Sequence, residues 1–235
     1  MFKKLKMIFA WSFSRYSDYI LCPLKAKLKH LDKIAEPPNE AMARGAGIHD
    51  LARDYLRGVI VKLPPELVKY KILFVVLRNR VKAGKALIIE ESWAFRKDWS
   101  RTVWNDWAEC WLRVKVDCAE ITKGVMDIYD WKTGKFRVEE AATMYTEQLE
   151  LYALAGFLLY PEVKRINATL LYLDAKAEYP MTFYRDQLPA LQQTWLKRTR
   201  AMLNDKRFAP RPNNKCIWCF YRHSNKAAGG GQCRY

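Results

Sequence analysis

No apolar run in this sequence approaches the roughly 20 residues that a helix needs to cross a bilayer, which argues against a membrane-spanning protein. The opening MFKKLKMIFAWSF has the charged start of a signal peptide, but its apolar stretch is short and no small-residue cleavage site follows. It therefore reads as mature sequence of a cytoplasmic protein. Without a secretion signal, the six cysteines are expected as thiols or metal ligands rather than disulfides. Histidine is scarce, with three in 235 residues, and acidic residues are in deficit, 25 against 41 Lys and Arg. The resulting net charge of +16 points to a polyanionic partner, an anionic membrane surface or, ahead of it, nucleic acid. There is no internal repeat and no helix-turn-helix pattern. Half of the residues are hydrophobic, so a core can form and a disordered tail is excluded.

The stretch that organises the rest is DCAEITKGVMDIYDWKTGK, residues 117–135. Apolar and β-branched residues run up to Thr122-Lys123-Gly124 and resume through Trp131, the pattern of a β-hairpin with glycine in the turn. With a two-residue turn at Lys123-Gly124, Thr122 pairs with Val125 and Asp117 lies directly across from Asp130. Lys132, two residues on, projects from the same face as Asp130. Two facing carboxylates repel, which weakens a sheet unless a cation sits between them. Acidic ligands for a hard cation, with an ammonium group to orient water or steady negative charge, suit metal-assisted phosphodiester hydrolysis. A surface hairpin with a solvated acid and base fits the same residues, and a three-residue loop would turn Asp117 to the opposite face.

Along the chain, Ser12 or Ser14 is expected to cap a helix carrying Tyr16, Tyr19, Ile20 and Leu24, and the basic run Lys25, Lys27, Lys29 follows Cys22-Pro23. Asn39 caps a second helix to about Arg57. The small residues of Gly45-Ala46-Gly47 would let that helix approach another backbone ahead of His49, which is either structural or a metal ligand. A third helix runs from Glu66 to about Lys82 with a basic outer face. Ala86 to Phe95 reads as a strand and Lys97 to Glu109 as a tryptophan-rich connection. Trp93, Trp99, Trp104, Trp107 and Trp111 lie here among arginines; they can fill the core or stack on unpaired bases. Glu139 to Leu159 is an amphipathic helix with Tyr145, Gln148 and Tyr152 on one stripe. Gln148 either caps a surface or faces the hairpin to hold a phosphate or water. Arg165 to Asp174 is a strand, and a final helix begins at Asp186. This order gives an α/β, mixed α+β fold with a mixed central sheet flanked by helices.

The tail carries Cys216-Ile217-Trp218-Cys219 and Cys233. C-x2-C is a metal-knuckle spacing, Cys233 supplies a third thiolate, and Cys22 is the obvious fourth. Four cysteines can hold zinc or an iron–sulfur cluster, and spacing does not separate the two. Cys110 and Cys118 are expected as buried thiols.

Taken in order, Cys22, Gly47-Ile48-His49, Asp117, Asp130-Trp131-Lys132-Thr133-Gly134, Gln148-x3-Tyr152 and Cys216-x2-Cys219 with Cys233 resemble the RecB-like branch of the PD-(D/E)XK nuclease superfamily, and within it the CRISPR-associated iron–sulfur exonucleases and their phage relatives. The resemblance implies a restriction-endonuclease-like sheet. It implies a single nuclease domain over residues 1–235, in which 1–35 and 207–235 form a cluster-binding subdomain and 36–206 the nuclease core. It makes His49, Asp117, Asp130 and the backbone carbonyl of Trp131 the ligands of Mg²⁺ or Mn²⁺, and Lys132 the group that positions the attacking water. Gln148 and Tyr152 then line the active site, and Cys22, Cys216, Cys219 and Cys233 hold a 4Fe–4S cluster, with Zn²⁺ as the alternative. Val116 stands where the superfamily's name has proline, and the gap between Cys219 and Cys233 is wider than usual. The implied activity is a metal-dependent DNA exonuclease on single-stranded or frayed ends. A structure-specific endonuclease, or a catalytically silent DNA-binding partner of a helicase, recombinase or integrase, are the other readings.

Overall fold

The computed structural model describes residues 7–138 and 145–235, so the start of the helix expected from Glu139 lies outside the described residues. The chain divides into two compact units, one made of Met1–Pro37 and Thr194–Tyr235 and the other of Pro38–Gln193.

The Pro38–Gln193 unit is built on one six-stranded sheet: β1 (Leu87–Phe95), β2 (Arg101–Thr102), β3 (Leu112–Thr122), β4 (Val125–Lys132), β5 (Arg165–Tyr172) and β6 (Ala177–Tyr184). The spatial order is β2-β1-β3-β4-β5-β6, with β4 and β5 parallel and every other neighbouring pair antiparallel. The β3–β4 turn is the tight two-residue kind: Lys123 and Gly124 have φ of 50° and 75°, and Thr122 pairs with Val125. Two positive φ values in succession match the right-handed twist of the flanking strands. The register, Cys118↔Tyr129 at its open end, brings Asp117 and Asp130 to facing positions one step further along.

Alternation along β4 feeds two helical layers. Tyr129 and Trp131 join the core under α3 (Glu40–Arg57) and α4 (Lys71–Lys82), with Ile48, Ala52, Phe74, Leu77 and Leu171. Met126 and Ile128 turn instead to α5 (Thr146–Leu159), the crossover between β4 and β5. Gly156 of α5 lies so close that an added Cβ would meet Ile166 Cδ1 at 2.8 Å and Met126 Sδ at 2.9 Å. Asn39 caps α3 by accepting from Met42 N at 2.9 Å, and Gly58 ends it at φ 84°. In α3 it is Gly45 that faces a neighbour, Thr133 Oγ1 at 3.3 Å from a built Cβ, while Gly47 has open space around it. The helix expected from Glu66 begins as a 3-10 turn, Pro65–Tyr70, before α4 takes over. The sequence predicts one strand, Arg165 to Asp174, after the long helix; the structure adds β6 beside it. Its Pro180 breaks the usual strand pattern, yet β6 is the sheet's edge, where a missing N–H is tolerated.

In the other unit, Ser12 caps α1 (Phe13–Leu21). Leu24 falls outside that helix, because Cys22 is extended (φ −161°, ψ 115°) and Pro23 starts a separate turn, α2 (Pro23–Ala26). Trp11 stacks on Trp195 at 5.3 Å, with Tyr16 edge-on to the same ring. Trp195 belongs to α6 (Leu188–Asn204), the final long helix. Buried Asp18 gathers the basic run, bonding Lys25 at 3.1 Å, Lys29 at 3.2 Å and His30 at 2.9 Å. Among the described residues, no helix is long and apolar enough to cross a membrane.

Candidate active site

Five elements of the Pro38–Gln193 unit, α3, β1, β3, β4 and α5, meet at the open end of the β3–β4 hairpin. The third turn of α3 carries His49, whose Nδ1 lies 3.3 Å from Asp117 Oδ1 and 3.7 Å from Glu90 Oε1. Asp117, on β3, is 8 % exposed, and its Oδ2 accepts from the backbone N–H of Trp131 at 2.8 Å. Asp130, 3 % exposed, is an ion-pair partner of Lys132, Nζ to Oδ2 2.5 Å. Trp131, between them in the sequence, turns its buried ring to the opposite face, tilted against Phe74 at 4.9 Å, and anchors the strand that presents both charged residues.

From α5, the Gln148 amide bridges the pair: its Oε1 accepts from Lys132 Nζ at 3.1 Å, and its Nε2 donates to Asp130 Oδ1 at 3.1 Å and to the Tyr152 hydroxyl at 2.8 Å. The Tyr152 hydroxyl in turn donates a hydrogen bond to Asp130 Oδ1 at 2.5 Å. Gln148 therefore faces the hairpin rather than capping a surface, and its oxygen and nitrogen ends are both committed. Tyr145 adds its ring, with Lys132 Nζ 5.5 Å from the centroid.

Glu90 was not among the residues expected at the site. It sits on β1 opposite Asp117, at the one interruption between the pairs Ile89↔Cys118 and Glu91↔Val116, with φ of 52°. Its Oε2 pairs with Lys115, and its Oε1 is buried without a hydrogen-bond partner. A positive φ inside a strand costs energy for any residue but glycine. The available signal was an acid pair, Glu90-Glu91, inside an otherwise apolar strand. Among the described residues, His49, Glu90 and Asp117 form the group of three ligand-type side chains whose atoms lie within 4.8 Å of one another. Asp130 falls outside that set, facing Lys132, Gln148 and Tyr152.

The electrostatics follow from crowding. Burial and the facing Asp130 carboxylate raise Asp117 above the ordinary carboxylate range, against the opposing pull of His49. Burial by itself would lower His49, but Asp117 and Glu90 outweigh it and push the imidazole up to about 10. Burial opposes a charged Lys132 as well, and Asp130 overrides it, holding the ammonium group above its usual value. Glu90 is held low by His49 and Lys115 in spite of its burial. Protonated His49 and Lys132 thus set positive charge against the acids. Asp130 Oδ2 joins Glu90 Oε1 as a buried carboxylate oxygen with no directional hydrogen bond. Buried acid oxygens held only by the charges of Lys132 and His49, beside that imidazole, form a donor set that fits a hard divalent cation.

The four cysteines lie in the other unit, all free and half-buried. Cys22 Sγ accepts from Arg211 N at 3.4 Å, and Cys216 Sγ from Asn213 N at 3.3 Å. Cys233 is tied back by its N–H to Tyr221 O at 2.8 Å and bridges Arg222. Burial, with the nearby Cys22 and Cys233 sulfurs, raises the Cys219 thiol, so these groups share one neighbourhood. Among the described residues, no three of these sulfurs lie within 4.8 Å of one another. Cys110 and Cys118 are buried.

A family model described as the PD-(D/E)XK nuclease superfamily matches residues 10–224. A structure from Eubacterium rectale named "Putative exonuclease" is similar over 91 % of this chain and 88 % of its own, at 11 % identity and a TM-score of 0.52. The crystal structure of SSO0001 aligns over 93 % of this chain and 87 % of its own, at 14 % identity and a TM-score of 0.41. No curated protein sequence matches. With the family model spanning nearly the whole length and the mixed six-stranded sheet flanked by helices beneath it, this chain belongs to the PD-(D/E)XK superfamily of phosphodiester-hydrolysing nucleases.

Proposed function

We propose that this protein is a Mg²⁺- or Mn²⁺-dependent deoxyribonuclease of the RecB-like kind, acting as an exonuclease on single-stranded or frayed DNA ends. The observation that carries the reading is the close His49–Glu90–Asp117 donor set, with the buried Asp130 carboxylate facing Asp117 across the β3–β4 pair and ion-paired to Lys132. His49, Asp117 and Asp130 would hold the cation, the Trp131 carbonyl would complete its shell, and Glu90 is placed to share in it. A divalent cation held there polarises the scissile phosphate and lowers the pKa of a bound water. A histidine among the ligands suits Mn²⁺ better than an all-oxygen site would.

The chain's own groups do the rest. Lys132 presents a charged ammonium at the edge of the site, where it orients the attacking water and steadies negative charge on the phosphate. Gln148 fixes the ammonium by accepting one of its protons and fixes Asp130 by donating. Tyr152 holds Asp130 from beneath, so the carboxylate keeps Oδ2 turned toward Lys132. The net charge of +16 draws DNA by counterion release, so cleavage falls steeply as salt rises. Exonuclease is also the activity in the name of the Eubacterium rectale structure.

Cys22, Cys216, Cys219 and Cys233 would hold a 4Fe–4S cluster. Tetrahedral zinc at about 2.3 Å from each sulfur needs thiolates about 3.8 Å apart. What supports the site is the mutual influence of Cys219 with Cys22 and Cys233; the resemblance favours the cluster, and tetrahedral zinc is the alternative.

Digestion of 5′- and 3′-labelled single-stranded oligonucleotides with Mg²⁺ or Mn²⁺ tests the activity. Asp130→Ala and Lys132→Ala should abolish cleavage with DNA binding largely retained; a variant that still cuts overturns the assignment. Protein purified without oxygen should be brown and contain iron and sulfide, whereas stoichiometric zinc without iron removes the cluster.

A further inference from the structure

Of the five tryptophans in residues 93–111, Trp93 and Trp111 are buried, whereas Trp107 is 77 % exposed. Its position is nevertheless built. Asp106 closes a single turn, Cys110 N donating to Asp106 O at 2.9 Å, while the Asp106 carboxylate accepts from Glu109 N at 3.0 Å and Thr102 Oγ1 at 2.6 Å. Arg113, a buried cation on β3, donates from Nε to Trp104 O at 3.1 Å. Its guanidinium lies 5.4 Å from the Trp104 centroid and 4.9 Å from that of Trp107. One exposed indole is thus held on a cation while most of its surface remains in water. Burial does not account for a ring kept in that position.

We infer that Trp107, backed by Arg113, is a stacking platform for an unpaired base of the nucleic-acid strand being cleaved. The inference rests on the nuclease reading above and adds a second point of contact to it. The loop projects from the end of the sheet at which β1 closes on β3 (Phe95↔Leu112), the end toward which β4 carries Asp130 and Lys132. From Asp117 back to Leu112 is five residues, about 17 Å of strand. At about 3.4 Å per stacked nucleotide, this distance corresponds to roughly five nucleotides, fewer if the strand is stretched. Stacking on an aromatic face tolerates any sequence, because every base has a π-face. The acids nearby do not oppose the strand freely: Glu109 is paired with Arg96, Asp106 caps its turn, and Asp98 accepts from Ser100. Arg101, on the neighbouring short strand, is exposed and free of the acid pairs named here.

The test uses full-length protein and a fluorescein-labelled dT12, with binding measured by anisotropy in EDTA and cleavage measured separately with Mn²⁺. Trp107→Ala should weaken dT12 binding by roughly ten-fold or more, as loss of a base–aromatic stack does. Trp107→Phe, which keeps a flat ring, should recover most of that loss. Cleavage of a dinucleotide too short to reach the loop should be the same in wild type and Trp107→Ala, while cleavage of dT12 falls. A circular dichroism melt that matches wild type establishes that the exposed substitution leaves the fold intact. Equal dT12 affinity in wild type and Trp107→Ala overturns the platform and leaves the ring to some other partner. Wild-type protein that binds dT12 through Trp107 yet never cuts it would overturn the nuclease reading and keep the platform.

Discussion

The charge balance at the candidate metal site sets how tightly a cation binds at each pH. In the metal-free protein the neighbouring Asp117 and Glu90 carboxylates push His49 up to about 10, so at pH 7 roughly a thousand imidazoles are protonated for each neutral one. A cation using that imidazole must displace the proton, at a cost of about 4 kcal/mol at pH 7 that shrinks by about 1.4 kcal/mol per pH unit. Mn²⁺ affinity should therefore rise nearly ten-fold per unit between pH 6.5 and 8.5, with about one proton released per ion bound. Isothermal titration in two buffers of different ionisation enthalpy measures both quantities. In His49→Ala, affinity should be weaker throughout and its pH slope should flatten. The folding linkage has the matching sign: a histidine raised in the folded state contributes stability that is complete below about 6.5 and lost as pH rises toward 10. Metal-free protein should accordingly melt at lower temperature as pH rises through that window. Affinity that stays flat from pH 6.5 to 8.5, or a slope that survives in His49→Ala, would refute the reasoning.

Glu90→Gln keeps the shape of the side chain and removes its charge; Mn²⁺ binding should weaken at least 10–100-fold, the scale set by loss of a ligand's supporting group, and unchanged calorimetric affinity would remove Glu90 from the site. Gly156→Ala brings a Cβ to 2.8 Å from Ile166 and 2.9 Å from Met126, so overpacking of about 1–3 kcal/mol should outweigh the helix-propensity gain of about 1 kcal/mol, read as a lower urea midpoint. Asn39→Ala removes the cap of α3 and should cost about 1 kcal/mol in the same assay, while Mn²⁺ affinity is retained because His49 lies nearly three turns further on.

What could be read from the residues was whatever depends on short separations. A Lys-Gly turn between two β-patterned runs sets the hairpin register, and the register sets Asp117 across from Asp130 and Lys132 on the same face as Asp130, since a strand's side chains alternate with a period of two. Helical spacing likewise put Gln148 and Tyr152 on one stripe, although the sequence left open whether that stripe met the hairpin or the solvent. Glu90 was out of reach because β1 joins β3 across a connection that includes β2 and the tryptophan loop, and no local period names the partner of a strand so far away. Strand β6 was hidden by Pro180, which a central strand would not tolerate and an edge does. The five tryptophans look alike as letters. Packing buried Trp93 and Trp111 and kept Trp107 in water, because burial depends on which surfaces the fold closes and which it leaves open.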